Sequence, residues 1–368
     1  RATRQLSRQA LADALDKTNT TLGASGNVGV ATFNLRTKRA NLPAALDLLR
    51  QVLREPALPA EELDILKRQV VSGLEENRTQ PTALVDNFIA RKLRPYPQDD
   101  VRYEPTLEES IERCRAVTLE QVKALYEQYL GAARGELVII GDFDEPAVTT
   151  AMSQMLADWS ARQPYERIQV SAKPLQSDDQ SINTPDRANA QYGAALAYAI
   201  SDTDADYPAL VMVNRILGGS GTSRLWTRVR ETEGLSYGVR SAFAASALDP
   251  YADLTISAIV NPANMPKLKT TMQEELAKLT DKGVSPDELK RAQVAWLDQQ
   301  TVARSQDAGL AVTLARDLYA GRTIRHEAEL EEKIRGLTAD QVTAAAKKYL
   351  DPSHLVIVTA GDFGAKAK

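Results

Sequence analysis

The sequence predicts an α+β chain built of two homologous units, each a mostly antiparallel sheet with helices packed on one face. Three observations predict it. A segment near the end of the first half recurs 220 positions later in the second. Strand signals stand at the ends of each half with helical patterns between them. The 368 residues are length enough for two domains at roughly 150 residues each.

The repeat is clearest where each half closes. Val117-Thr118-Leu119-Glu120-Gln121-Val122 leads to Tyr129-Leu130, a β-rich run and Gly141-Asp142-Phe143, while Leu337-Thr338-Ala339-Asp340-Gln341-Val342 leads to Tyr349-Leu350, another β-rich run and Gly361-Asp362-Phe363. Each threonine is placed to cap a helix, and each Gly-Asp-Phe closes a strand. Earlier in the halves Asn41-Leu42-Pro43 answers Asn264-Met265-Pro266, each opening a helix with Asn as the cap and Pro in the first turn. Pro59-Ala60-Glu61-Glu62-Leu63 answers Ser285-Pro286-Asp287-Glu288-Leu289. From Ala60 onward Leu63, Leu66, Val70 and Leu74 fall on one helical stripe, which predicts packing against another element. Strands are predicted at Gly29–Leu35, Glu136–Ile140, Ala194–Ile200, Gly238–Ala244, Ala252–Val260 and Leu355–Ala360.

Between the halves, Gln163-Pro164 through Thr184-Pro185-Asp186 carries three prolines and no apolar period, so it reads as a linker. The expected organisation is therefore residues 1–163 as a first repeat, 164–188 as linker and 189–368 as a second repeat. The second repeat opens with the strand signal Gln191–Ile200, whereas the first opens with the helical stretch Ser7–Lys17. The first repeat accordingly reads as truncated at its N-terminus, a piece whose upstream sequence is missing.

Composition narrows function mainly by exclusion. Apolar residues at 43% and charged residues at 26% exclude disordered and fibrous classes. A net charge of −4 from balanced charges gives no footprint for nucleic acid. No apolar run reaches the length of a membrane-spanning helix. The single cysteine, Cys114, cannot form an internal disulfide or build a thiolate metal cluster by itself. Two histidines, His326 and His354, stand 28 positions apart, in a charged run and after Asp351-Pro352-Ser353, and read as structural or solvated. No Gly-x-Ser-x-Gly elbow is expected to seat the serine of a Ser/His/Asp triad.

The most distinctive stretch runs from Leu217-Gly218-Gly219-Ser220-Gly221-Thr222-Ser223-Arg224-Leu225 to Val229-Arg230-Glu231-Thr232-Glu233-Gly234-Leu235-Ser236-Tyr237-Gly238. A glycine loop is predicted to open a helix capped by Thr222 or Ser223, with Gly234 as its C′ residue and a strand starting at Tyr237. No lysine follows the glycines, so a phosphate-binding loop is excluded, and Gly23-x-x-Gly26-x-x-Gly29 lacks the tight Gly-x-Gly as well. Arg230 and Tyr237 can converge at the helix–strand junction as donors to a peptide carbonyl. The plainer alternative pairs Arg230 with Glu231 or Glu233 on a solvated face and leaves Tyr237 an ordinary strand aromatic.

These motifs, with Arg54-Glu55-Pro56 and the two Gly-Asp-Phe ends, resemble the insulinase/pitrilysin-type zinc metallopeptidases, whose zinc motif is His-x-x-Glu-His. The resemblance covers nearly the whole chain. It implies paired α+β domains forming half of a clamshell around a peptide chamber, and it casts Arg230 and Tyr237 as contacts to the substrate backbone, with Gly218, Gly219, Ser220 and Gly221 as the loop beside them. The zinc motif itself is missing, and Glu75 and Glu76, near the family's third-ligand position, read as solvated charges. The resemblance thus implies the non-zinc half of an endopeptidase, with no metal ligands and no cofactor of its own. Zinc is expected on a homologous half, on the same polypeptide or a separate subunit, with an unstructured peptide as substrate. Bacterial members suggest the periplasm. A non-catalytic scaffold subunit of the same fold and a module that sequesters peptides remain the alternatives.

Overall fold

The computed structural model describes residues 1–364. The last four positions of the expected second repeat lie outside the described residues. In chain order the elements are α1 (Arg8–Lys17), β1 (Thr21–Asn27), β2 (Val30–Arg36), α2 (Leu42–Arg54), α3 (Ala60–Asn77), α4 (Pro81–Leu93), α5 (Leu107–Ala116), α6 (Leu119–Tyr129), α7 (Glu145–Leu156), β3 (Asp178–Asn183), β4 (Ala190–Tyr198) and α8 (Tyr207–Leu217). After a π-helix at Trp226–Thr232 come β5 (Gly238–Ala245), β6 (Ala252–Val260), α9 (Met265–Asp281), α10 (Pro286–Arg304), α11 (Asp307–Tyr319), α12 (Arg325–Gly336), α13 (Ala339–Tyr349) and β7 (Val356–Gly361). The chain divides into two compact units, Arg1–Leu74 with Glu109–Ile168, and Glu75–Glu108 with the residues from Gln169 onward.

In the first unit α1 starts where Ser7 accepts a hydrogen bond from the Ala10 amide. The strands β1 and β2 pair antiparallel from Thr21 opposite Arg36 to Asn27 opposite Val30. The core is helical: Leu46, Leu49 and Leu53 of α2 meet Val148, Met152 and Met155 of α7, and Leu22, Phe33 and Leu35 of the hairpin lean on them. Glu136–Ile140, predicted as a strand, is not one, because no strand among the described residues supplies the ladder hydrogen bonds that would make it one. The apolar stripe of α3 is not covered either, with Leu66 and Val70 exposed.

The second unit holds a five-stranded sheet in the order β3-β7-β4-β6-β5. Only the β3–β7 pairing is parallel; β4 pairs antiparallel with both β6 and β7, and β5 with β6. One face carries Tyr192, Ala194 and Leu196 of β4 into the main core, where α8, α9 and α13 bring Met212, Val213, Leu268, Met272, Val342 and Ala346. Each large apolar side chain fully buried there is worth about 1.5–3 kcal/mol. The other face, over Ala195, Ala197, Val356 and Val358, receives Val85 and Ile89 of α4. That contact explains why Glu75–Glu108, counted with the first repeat in the sequence reading, clusters with the second unit. The expected linker is not wholly irregular: Asp178–Asn183 forms the edge strand β3, a polar segment with no buried face to leave an apolar signature.

The helical part of the repeated motif folds the same way twice, whereas a strand closes in Gly-Asp-Phe only in the second copy, as β7, and not at Gly141-Asp142-Phe143. Thr118 and Gln121 form a capping box at α6, and Thr338 and Gln341 form another at α13. The Asn-x-Pro starts depart from expectation. Neither Asn41 nor Asn264 caps with its side chain. A short 3₁₀ turn precedes each helix instead, and the Asn41 side-chain amide donates to Thr18 O at 2.7 Å.

Candidate functional site

Helix α8 buries Leu210, Met212, Val213, Ile216 and Leu217 and ends at Gly218. The amides of Gly218 and Gly219 both donate to Asn214 O, at 3.1 and 2.8 Å, and Gly218 O accepts from the Ser241 amide of β5 at 3.0 Å. A Cβ on Gly218 would stand 2.7 Å from Ser241 N, and one on Gly219 2.9 Å from Asn214 Nδ2. Close backbone approach to β5 and to the last turn of α8 therefore requires these two glycines. Gly221 has open space around it. Within the loop the Ser223 hydroxyl donates to Ser220 O at 2.7 Å and accepts from the Trp226 amide at 3.4 Å, so Ser223 takes the capping role expected of Thr222 or Ser223.

The helix that follows is a π-helix, a form the sequence did not announce. Leu225 and Val229 fix its inner side in the core. At its end Gly234 adopts φ +60°, the Leu235 amide donates to Val229 O at 2.8 Å and the Glu233 amide to Arg228 O at 2.9 Å, which bears out Gly234 as the C′ residue. Arg228 anchors the helix to α9: its guanidinium bonds Glu233 at 2.7 Å and Glu275 at 2.8 Å, and also Glu274. Arg228 holds the Glu233 carboxyl below the ordinary carboxylate range, helped by the Thr271 hydroxyl at 3.0 Å. Arg224 makes a bidentate bond to Glu288 at 2.8 and 2.7 Å.

Arg230 is treated differently. Its plain-alternative partner Glu233 is taken by Arg228, and among the described residues Arg230 forms no ion pair. Its guanidinium lies over the Trp226 ring, 4.3 Å from the centroid, in a cation–π contact. Tyr237 is 94% exposed although Leu235 and Ser236 before it are buried. The Ser236 hydroxyl accepts from the Gly238 amide at 3.0 Å and also reaches Ile259 O, which clamps the backbone on both sides of the tyrosine. The structure places Arg230 near the end of the π-helix and Tyr237 just before β5, two elements that pack together, both side chains open to solvent with no hydrogen bond between them. Trp226, four positions before Arg230, is a residue that the sequence reading passed over; its signal was the helical spacing between an aromatic and a cation.

One expectation fails at the level of residues. Gly234-Leu235-Ser236-Tyr237-Gly238 does spell Gly-x-Ser-x-Gly. The context is helix to strand rather than strand to helix, and the Ser236 hydroxyl is buried and committed to backbone carbonyls, so it is not an exposed nucleophile. The histidines are apart: His326 Nε2 is 4.0 Å from Asp202, and His354 Nδ1 is 3.2 Å from Asp351. Glu75 and Glu76 are exposed. Among the described residues no group of three His, Cys, Asp or Glu side chains could hold a metal ion, so the zinc of the resembled family does not fit here. No helix of the described residues is long and apolar enough to cross a membrane.

Comparison with known proteins bears on the family and the fold. Residues 116–295 match the family described as the peptidase M16 inactive domain. An uncharacterised zinc protease of Streptomyces coelicolor is 21% identical over 95% of this chain and 76% of its own length. A probable inactive metalloprotease of Bacillus subtilis is 23% identical over 89% of this chain and 76% of its own. The crystal structure of a peptidase M16 inactive domain from Pseudomonas fluorescens superposes with a TM-score of 0.82 at 23% identity, covering all of this chain and 87% of that one. At that identity the superposition speaks for the α+β fold.

Proposed function

For a chain whose residues 116–295 match the peptidase M16 inactive domain, we propose the role of substrate-holding, zinc-free half of a zinc metalloendopeptidase. Arg230 and Tyr237 donate hydrogen bonds to the backbone carbonyls of an extended peptide near the scissile bond, where charge develops on oxygen. The observation that carries this reading is the contrast at one junction: an arginine without an ion pair and a tyrosine open to solvent are held on a buried, cross-linked frame. The loop of Gly218, Gly219, Ser220 and Gly221 joins α8 to that frame and borders the path of the peptide. Zinc belongs to a homologous half, carried on the same polypeptide or on a separate subunit, because no group of side chains among the described residues suits it. We place the enzyme in the periplasm, where a chain with one cysteine risks no internal disulfide.

The test is a peptidase assay on an unstructured polypeptide, with bound zinc quantified. It is run on this chain alone and again with a zinc-bearing homologous half. Zinc and turnover only in the combined sample are the expected result. Bound zinc without turnover in that sample would replace this reading with a scaffold role, and hydrolysis by the isolated chain would overturn it.

A further inference from the structure

A cavity of about 280 Å³ opens within the second unit between α8, α10 and α12, with Gly219 of the glycine loop in its lining but neither Arg230 nor Tyr237. Its size sits at the small end of ligand pockets. Three arginines border it, and two are neutralised. Arg322 makes a bidentate bond to Asp202 at 2.9 and 2.8 Å and a third bond to Asp317 at 3.0 Å, while Arg316 pairs with Glu327. Arg215, on the last turn of α8, has no carboxylate partner among the described residues. Its Nη1 donates to Gln299 Oε1 at 2.6 Å and to Gly219 O at 3.4 Å and its Nη2 to Ala295 O at 3.3 Å, and its Nε is buried with no partner among the described residues.

Burial lowers the Arg215 pKa from the ordinary value, yet a guanidinium stays charged at any physiological pH. The two carboxylates on Arg322 balance the cavity's charges in sum, but Arg215 is the one arginine there that touches no carboxylate among the described residues, and its buried Nε lacks an acceptor, which is costly unless one arrives. Trp296, Tyr207 and Phe243 give the same cavity aromatic walls. We propose that it is a binding site for a small carboxylate, with the anion on the Nε–H and the remaining Nη2 hydrogen of Arg215 and an apolar or aromatic group against Trp296 and Phe243. Planar, forked recognition of a carboxylate is the chemistry for which arginine is suited. The site is independent of the peptidase reading and is tested on this chain alone.

The carboxylate has two possible sources, a free small acid and the C-terminus of a peptide. Calorimetric titration with N-acetylphenylalanine, its amide and Gly-Gly-Phe separates them. The acid is expected to bind with a dissociation constant below about 1 mM and the amide at least about tenfold more weakly. Whichever carboxylate probe binds more tightly identifies the source. Arg215→Gln is expected to abolish binding. Because Arg215 also ties α8 to α10, the exposed Gln299 offers a second variant that leaves those ties in place: Gln299→Glu sets a carboxylate beside Arg215 and should weaken the acid at least about tenfold while the fold persists. Equal affinity for acid and amide, no binding of either acid probe, or unchanged binding in a folded Gln299→Glu variant would overturn the site.

Discussion

Arg228 and Arg230 stand two positions apart on one π-helix and meet opposite fates. Arg228 turns toward α9 and is held by Glu233, Glu274 and Glu275; Arg230 turns to solvent with only the Trp226 ring beneath it. The glycine loop repeats the contrast, Gly218 being pressed onto β5 while Gly221 stands in open space. Similar residue types at neighbouring positions thus divide into those that build the frame and those that the frame presents. The difference lies in partners, and it separates a stability role from a chemical one.

Substitutions can break that comparison, beginning with the most severe. Gly218→Val forces its side chain against the backbone of Ser241 and should cost about 2–3 kcal/mol in urea unfolding, whereas Gly221→Ala should stay within about 0.5 kcal/mol. Arg228→Ala leaves the buried Glu275 without its arginine and should cost about 2 kcal/mol, less than a fully buried pair because solvent reaches the arginine. Arg230→Ala should cost less than about 1 kcal/mol, the value of an exposed cation–π contact. Equal costs at 228 and 230 would remove the distinction.

Acid sharpens it further. The folded state holds the Glu233 carboxyl below its unfolded value near 4.5, chiefly through Arg228, so its contribution is present above that pH and is lost as pH falls through the folded value. The stability gap between wild type and Arg228→Ala should narrow between about pH 7 and about pH 3.5, while the gap for Arg230→Ala stays flat. The smallest contrast is between the two repeats: Thr118→Ala and Thr338→Ala each remove one capping box and should each cost about 1 kcal/mol, although their surroundings differ.

Local signals were legible in the residues, and signals that depend on a neighbour were not. The capping boxes, the helix end at Gly234 and the strands β4 to β7 were readable because each is specified by a few adjacent residues or by an apolar run. Glu136–Ile140 resembles β7 in pattern, yet β7 lies between β3 and β4 while the earlier segment has no ladder partner among the described residues. In the opposite sense, β3 is a strand because β7 is beside it, and its own polar residues give no hint. The site divides likewise. Arg230 and Tyr237 could be picked out from their glycine-bounded context, but that Arg230 lacks an ion pair follows from α9, whose glutamates engage Arg228 and leave Arg228 to hold Glu233. That Arg215 meets no carboxylate was hidden for the same reason, since its Gln299 and Ala295 partners come from a helix 80 or more residues away in sequence.

The most direct test of the central claim is turnover by the complete enzyme, this chain joined to a zinc-bearing homologous half, with Tyr237→Phe and Arg230→Ala introduced separately. The account predicts a fall in kcat of about a hundredfold for each, as for loss of one donor to a developing oxyanion, with zinc content unchanged and the thermal midpoint lowered by no more than about 2 °C. Wild-type turnover in both variants, or a fall that tracks lost zinc or lost fold, would contradict it.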